Sequence, residues 1–172
     1  LDRFLDYVDD RGLTLYPGKN GEDNYFLALV EPPQAIATSM INPREYVFVV
    51  DISGSMHGFP LDTAKTLLRH LIGGLRASDS FNVLLFSGSN RMLSDTPVPA
   101  TRANVERAIA TIDNLRAGGS TEIVPALERI AALPKNAEVA RTVIVVTDGY
   151  VSVEDRVFAL VRKNLGNSNV FA

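Results

Sequence analysis

The chain has 172 residues, of which 46% are hydrophobic and 22% charged, with a formal net charge of −3 and no cysteine. That length supports one domain of ordinary size with a substantial core, and the composition excludes a disordered or fibrous chain. Lys and Arg are scattered singly, which excludes the basic stripe that nucleic acid requires, and the absence of Cys excludes disulfides, thiolate metal sites and thiol catalysis while leaving the compartment open.

Residues 1–42 read as an extension rather than a strand–helix unit. Residues 1–11 fit a short helix or a strand equally well. Residues 13–16 and 25–30 are β-prone, and residues 17–24 between them are dense in turn formers, which predicts a hairpin. Pro32-Pro33 ends the second run by removing a ladder donor and restricting the residue before it. Glu22 and Asp23, an acidic pair in that turn, read as solvated surface. No apolar run approaches the ~18 residues of a spanning helix and no leader opens the chain, so no membrane insertion by this stretch is expected.

From residue 43 onward, strands alternate with amphipathic helices. Tyr46-Val47-Phe48-Val49-Val50 reads as a fully buried strand. The following helix shows one apolar stripe, Leu61, Ala64, Leu67, Leu68, Leu71, Ile72 and Leu75, with Pro60 in its first turn and Gly73-Gly74 at its end. Residues 81–86 form the next strand, and residues 92–98 a weaker one that Pro97 and Pro99 place at an edge. Thr101 caps a helix bearing Val105, Ala108, Ile109, Ile112 and Leu115, which Gly118-Gly119 breaks. A further helix carries Ile123, Ala126, Leu127, Ile130 and Ala131, and a second buried strand runs from Thr142 to Val146. Ser152 and Asp155 then form a capping box for a helix that buries Val153, Val157, Leu160 and Val161, and residues 169–172 begin a last strand. This alternation predicts an α/β fold: an open, mostly parallel, Rossmann-like sheet with helices on both faces.

The candidate chemistry lies at the carboxyl ends of the buried strands, where open α/β sheets place their binding crevices. Asp51-Ile52-Ser53-Gly54-Ser55 follows the first strand directly. Alternate residues of an extended segment point the same way, so Asp51, Ser53 and Ser55 can direct three oxygens to one point, with Gly54 permitting the bend between them. Gly118-Gly119-Ser120-Thr121-Glu122 adds a hydroxyl after a flexible Gly pair, and the second buried strand ends in Thr147-Asp148-Gly149. Two carboxylates and three hydroxyls from three loops form an all-oxygen set suited to a hard divalent cation.

Asp51-x-Ser53-x-Ser55, then Thr121, then Asp148 resembles the metal-ion-dependent adhesion site (MIDAS) of von Willebrand factor type A (VWA) domains, and the resemblance covers roughly residues 43–172. Upstream, residues 12–16 and 25–33 are similar to the segment joining two domains in relatives of inter-alpha-trypsin inhibitor heavy chains. The resemblance implies strand order 3-2-1-4-5 with a short antiparallel third strand, and a further strand and helix after Ala172, without which the last strand would be an open edge available for homo-oligomer formation. It also implies that Ser53, Ser55 and Thr121 ligate the ion directly, while Asp51 and Asp148 supply charge and orient the ligands. The expected ion is Mg²⁺, with Mn²⁺ or Ca²⁺ as alternatives, and the expected partner is a protein that offers a Glu or Asp to the metal. An extracytoplasmic or cell-surface setting follows from the resemblance only.

Other readings compete. Asp51 and Asp148 could cap strand–helix turns while Ser53 and Ser55 satisfy backbone donors, which would leave a structural domain with a vestigial site. A metal-assisted phosphate-ester hydrolase of the Asp-x-Asp type would need an Asp where Ser53 stands. Gly54-Ser55-Met56-His57-Gly58 does not match a Gly-x-Ser-x-Gly nucleophile elbow, and neither a dinucleotide fingerprint nor a P-loop is present. Ser120 competes with Thr121 for the ligand role, and Glu122 is expected to face outward. His57 reads as a rim residue and His70 as a surface or half-buried one. Met56 and Phe59 either line an apolar rim around the ion or anchor the loop, and the sequence does not choose between these.

Overall fold

The computed structural model describes residues 7–8, 13–20, 23–30, 41–136, 138–149, 154–164 and 168–172. They fall into two compact units, Leu1–Asn42 and Pro43–Ala172.

The first unit is an antiparallel sheet of three strands, β1 (Tyr7–Val8), β2 (Leu13–Asn20) and β3 (Asp23–Val30), in the order β1-β2-β3. The expected hairpin is present, but its ladder runs from Leu13 opposite Val30 to Asn20 opposite Asp23, so pairing continues through most of the residues expected to turn. Pro17 lies opposite Phe26 within it. β1 pairs with β2 at Thr14 and Leu15 among the described residues. The expected stop at Pro32-Pro33 lies outside the described residues.

In the second unit, β4 (Arg44–Asp51) is the central strand because it is apolar on both faces. Phe48 and Val50 pack into one core with Leu61, Ala64, Leu68 and Ile72 of α1 (Phe59–Gly73), while Val47 and Val49 pack into another. Leu67 of α1 is exposed. It was expected in the apolar stripe, but the buried face narrows to the residues at steps of three and four from Leu61. β5 (Ser80–Phe86) lies parallel to β4.

The weak strand expected over residues 92–98 is instead two short antiparallel pieces, β6 (Asn90–Met92) and β7 (Val98–Pro99), on opposite ends of β5. Between them the fully buried Asn82 takes over from the ladder. Its side-chain amide donates to Ser94 O at 2.8 Å, and its oxygen accepts from Val83 N and Ser94 N. The polar residue inside an apolar strand therefore pins the passing segment.

α2 (Arg102–Asp113), whose first turn is capped by Thr101, joins α1 on the first face through Ala108 and Ile112. α3 (Ile123–Ala131) and α4 (Glu154–Asn164) cover the second face, with Ile123, Val124, Ala126, Leu127, Ile130 and Leu160 buried. The capping box expected at Ser152 lies outside the described residues. β8 (Ala140–Val146) runs parallel to β4 on its other side, followed by β9 (Asn169–Phe171). The order β6-β5-β4-β8-β9 is the expected 3-2-1-4-5, with the third strand antiparallel. This is a mostly parallel Rossmann-like α/β sheet with helices on both faces.

At the amino end of the strands, buried carboxylates meet arginines. Glu45 and Arg141, in register on β4 and β8, form a buried salt bridge, and Arg141 also donates to the carbonyls of Leu133 and Pro134. Asp79 accepts from Arg44 N and Arg76 N at 3.0 Å each and from the Arg76 side chain. Burial pushes the Asp79 carboxyl up, but the Arg76 side-chain hydrogen bond, the two backbone N–H groups and the Arg76 charge outweigh that and hold it below the ordinary carboxylate value.

Candidate metal centre

The carboxyl ends of β4 and β8 bring the candidate residues to one edge of the sheet. Their register, Val50 opposite Val146, sets Asp51 beside Thr147. Thr147 Oγ1 donates to Asp51 Oδ2 at 2.8 Å and accepts from Gly149 N at 3.3 Å. The other Asp51 oxygen, Oδ1, accepts from Ser53 N at 2.8 Å. Asp51 is 0% exposed. Among the described residues no Lys or Arg pairs with it, and its hydrogen-bond donors are neutral.

Ser55 is reached through the bend expected at Gly54. Ser53 is extended (φ −66°, ψ 173°), and Gly54–Met56 then forms a turn of 3₁₀ helix, so the two serines meet across a turn. Ser53 Oγ and Ser55 Oγ lie 3.1 Å apart. That is long for a hydroxyl–hydroxyl hydrogen bond. It is close to the separation of two neighbouring ligands on an octahedral cation, about 3.0 Å, or √2 times a metal–oxygen distance of ~2.1 Å. Ser53 is buried and Ser55 exposed, so the pair opens toward solvent on one side.

The loop after α2 is braced onto this turn. Gly54 N donates to Gly119 O at 2.9 Å, and Gly118 N donates to Ile52 O at 2.8 Å. Gly119 has φ +89°, a backbone conformation that favours glycine, and a Cβ there would crowd Ser87 Oγ at 3.3 Å. Glu122 N donates to Ser87 O at 3.0 Å, which fixes the end of this loop. Thr121, between these two anchor points, is half-buried, and its hydroxyl is bonded to no other described residue. Ser120 Oγ lies 3.0 Å from where a Cβ on Gly88 would stand, so its hydroxyl faces the β5 loop. Glu122 is exposed, as are His57 and His70, in line with their expected surface positions.

Asp148 follows Thr147 directly and is exposed. The structure thus joins Asp51, Ser53 and Ser55 by hydrogen bonds, sets Asp148 next to the threonine that holds Asp51, and carries Thr121 on a loop tied to the same turn. The donor set is entirely hard oxygen and fits a small divalent cation. Met56 is buried in the first core while Phe59 is exposed, so the methionine is the anchor and the phenylalanine is not.

Two residues of this arrangement carried no role in the sequence reading. Thr147 stood in a quoted motif, and the signal that could have found it is a hydroxyl in the first position past a strand that pairs with the one ending in Asp51. Ser87 occupies the same position after β5.

The von Willebrand factor type A domain family model matches residues 44–172. Inter-alpha-trypsin inhibitor heavy chain H3 of Bos taurus is 31% identical over 134 residues, covering 73% of this chain and 15% of the relative. A von Willebrand factor A domain-containing protein of Dictyostelium discoideum is 32% identical over 139 residues, covering 80% of this chain and 7% of the relative. The chain therefore spans only a small part of the curated relatives it matches. Among solved structures, a von Willebrand factor type A protein from Catenulispora acidiphila superposes with a TM-score of 0.66 at 17% identity, over 92% of this chain and 34% of that one. An aerotolerance-related membrane protein from Bacteroides fragilis gives 0.62 at 21% identity, over 74% of this chain and 65% of that one. At these identities the structural likeness concerns the fold.

Proposed function

The chain belongs to the von Willebrand factor type A family, whose domains commonly mediate protein–protein interactions, and on that premise we propose that it is a divalent-cation-dependent, non-enzymatic binding module whose ion accepts a Glu or Asp from a partner protein. The observation that carries this reading is the isolation of Asp51: a fully buried carboxylate whose only hydrogen-bond donors among the described residues are an N–H and a hydroxyl. An uncompensated buried charge is costly. A cation beside it removes that cost.

Ser53, Ser55 and Thr121 would hold the ion directly, with Asp51 and Asp148 supplying the balancing negative charge. Mg²⁺ suits the short spacing of the serine hydroxyls best, and Mn²⁺ or Ca²⁺ are the alternatives. When bound, the ion supplies an electrophilic position for an incoming carboxylate. Asp51 orients Ser53 through its N–H, Thr147 holds the Asp51 carboxylate in place, and the Gly118–Gly119 contacts keep the Thr121 loop against the turn. Because the three hydroxyls are neutral and donate little charge, the cation would remain electrophilic toward a partner's acid even with its charge balanced by the two carboxylates.

The test is calorimetric titration of the EDTA-treated chain with MgCl2. Binding is expected in the native protein and lost in Asp51→Asn, which keeps the shape of the side chain and removes its charge. A native chain that takes up no Mg²⁺, Mn²⁺ or Ca²⁺ would refute the proposal.

A further inference from the structure

The loop that bears the two serines divides its residues sharply between core and solvent. Met56 is 2% exposed and belongs to the core beneath the turn, whereas Phe59, three residues on, is 82% exposed, the highest value for any large hydrophobic side chain among the described residues. The fold makes no use of that ring. α1 reaches the sheet through Leu61, Ala64, Leu68 and Ile72, and Phe59 belongs to neither core. Gly58, at φ +79°, makes the turn that starts α1 at Phe59, and Gly58 O accepts from Asp62 N at 3.1 Å. The ring is thereby set on the first position of a rigid helix, at the same sheet edge as the Ser53–Ser55 pair and four residues from Ser55. Ser55 and His57, between Gly54 and Phe59 in the chain, are also exposed.

We infer that Phe59 is the specificity-determining rim of this site, fitted to a polypeptide segment in which a single Glu or Asp is flanked by an aliphatic or aromatic side chain. The inference rests on the proposed ion site and names the chemistry of its partner. Charge argues for this occupant. Glu122, on the loop that meets the Asp51 turn, already presents an exposed carboxylate, so one incoming acid is drawn to the cation but a second acid next to it is repelled. An apolar neighbour meets no such penalty and covers the Phe59 ring. Covering about half of an exposed aromatic ring at a binding rim contributes on the order of tenfold in affinity.

The experiment uses the full chain in saturating MgCl2 and blocked pentapeptides with a central Glu, one set flanked by Gly only and the other carrying Leu or Phe at one flanking position. Binding is read by NMR shift titration. The expected result is that a Leu- or Phe-flanked peptide binds about tenfold more tightly than the all-Gly peptide, and that Phe59→Ser abolishes this preference while Leu67→Ser, an exposed leucine farther along α1, keeps it. Equal affinities for the two sets, or a preference that survives in Phe59→Ser, would overturn the inference. A Mg²⁺ titration of the same samples separates the two levels of failure. If the native chain binds Mg²⁺ and the acidic peptides without apolar preference, only the role of Phe59 falls; if it binds no Mg²⁺, the ion site falls and this inference with it.

Discussion

The two ends of the β4–β8 pair bury carboxylates in opposite ways. At the amino end, Glu45 is matched by Arg141 on the neighbouring strand, and nearby Asp79 is surrounded by Arg76 and two backbone N–H groups. At the carboxyl end, Asp51 is as deeply buried but, among the described residues, has only Ser53 N and Thr147 Oγ1 as donors. The first arrangement is electrically complete and serves the fold. The second lacks a positive charge, and the groups around it are hydroxyls and glycine backbone, which bind ions without neutralising them. A protein that only needed a stable strand end would place an arginine or an apolar residue there.

The comparison breaks first at its complete end. Arg141→Met leaves Glu45 buried without its partner and strips hydrogen bonds from two carbonyls, so it should cost about 3–5 kcal/mol in urea unfolding, with or without Mg²⁺. A cost that Mg²⁺ relieves would mean that the two ends are not independent.

Asp79→Asn removes a charged acceptor from four donors and should cost about 2–3 kcal/mol. The sign of its pH dependence is fixed. Because the folded carboxyl lies below its unfolded value, its contribution is complete above the ordinary carboxylate value and is lost as pH falls through the folded one. The urea midpoint of the native chain should therefore drop more steeply than that of Asp79→Asn on acidification from about pH 5 to about pH 2. Parallel curves would refute the assignment.

Thr147→Val sharpens the comparison at the other end. It keeps the shape of the side chain and removes one of the two hydrogen bonds to Asp51, so Mg²⁺ affinity should fall about tenfold and stability by about 1 kcal/mol. Thr147→Ser should restore both. A loss of stability with unchanged Mg²⁺ affinity would make Thr147 a structural contact only.

Much of this was legible along the chain because it is local. The apolar run before Asp51, the steps of three and four in α1 and the glycines of the Gly118–Gly119 loop are patterns within a dozen residues. What escaped depends on partners far away in sequence. Thr147 acts on a residue 96 positions earlier, through a register that no local pattern encodes. Met56 and Phe59 are similar in hydrophobicity, and only the packing of α1 on the sheet decides that one is buried as an anchor and the other exposed. The hairpin turn was overextended for the reverse reason: Pro17-Gly18 reads as a turn in isolation, yet strand pairing carries the ladder through it. Leu67 fits the helical period by spacing alone, and the width of the contact with the sheet excludes it.

The most direct measurement is anomalous diffraction from a crystal of the chain grown with Mn²⁺. The account predicts a peak bridging Ser53 Oγ and Ser55 Oγ at about 2.1–2.2 Å from each, with Asp51 still held by Ser53 N and Thr147. No peak there at saturating Mn²⁺, with Asp51 buried as before, would contradict it.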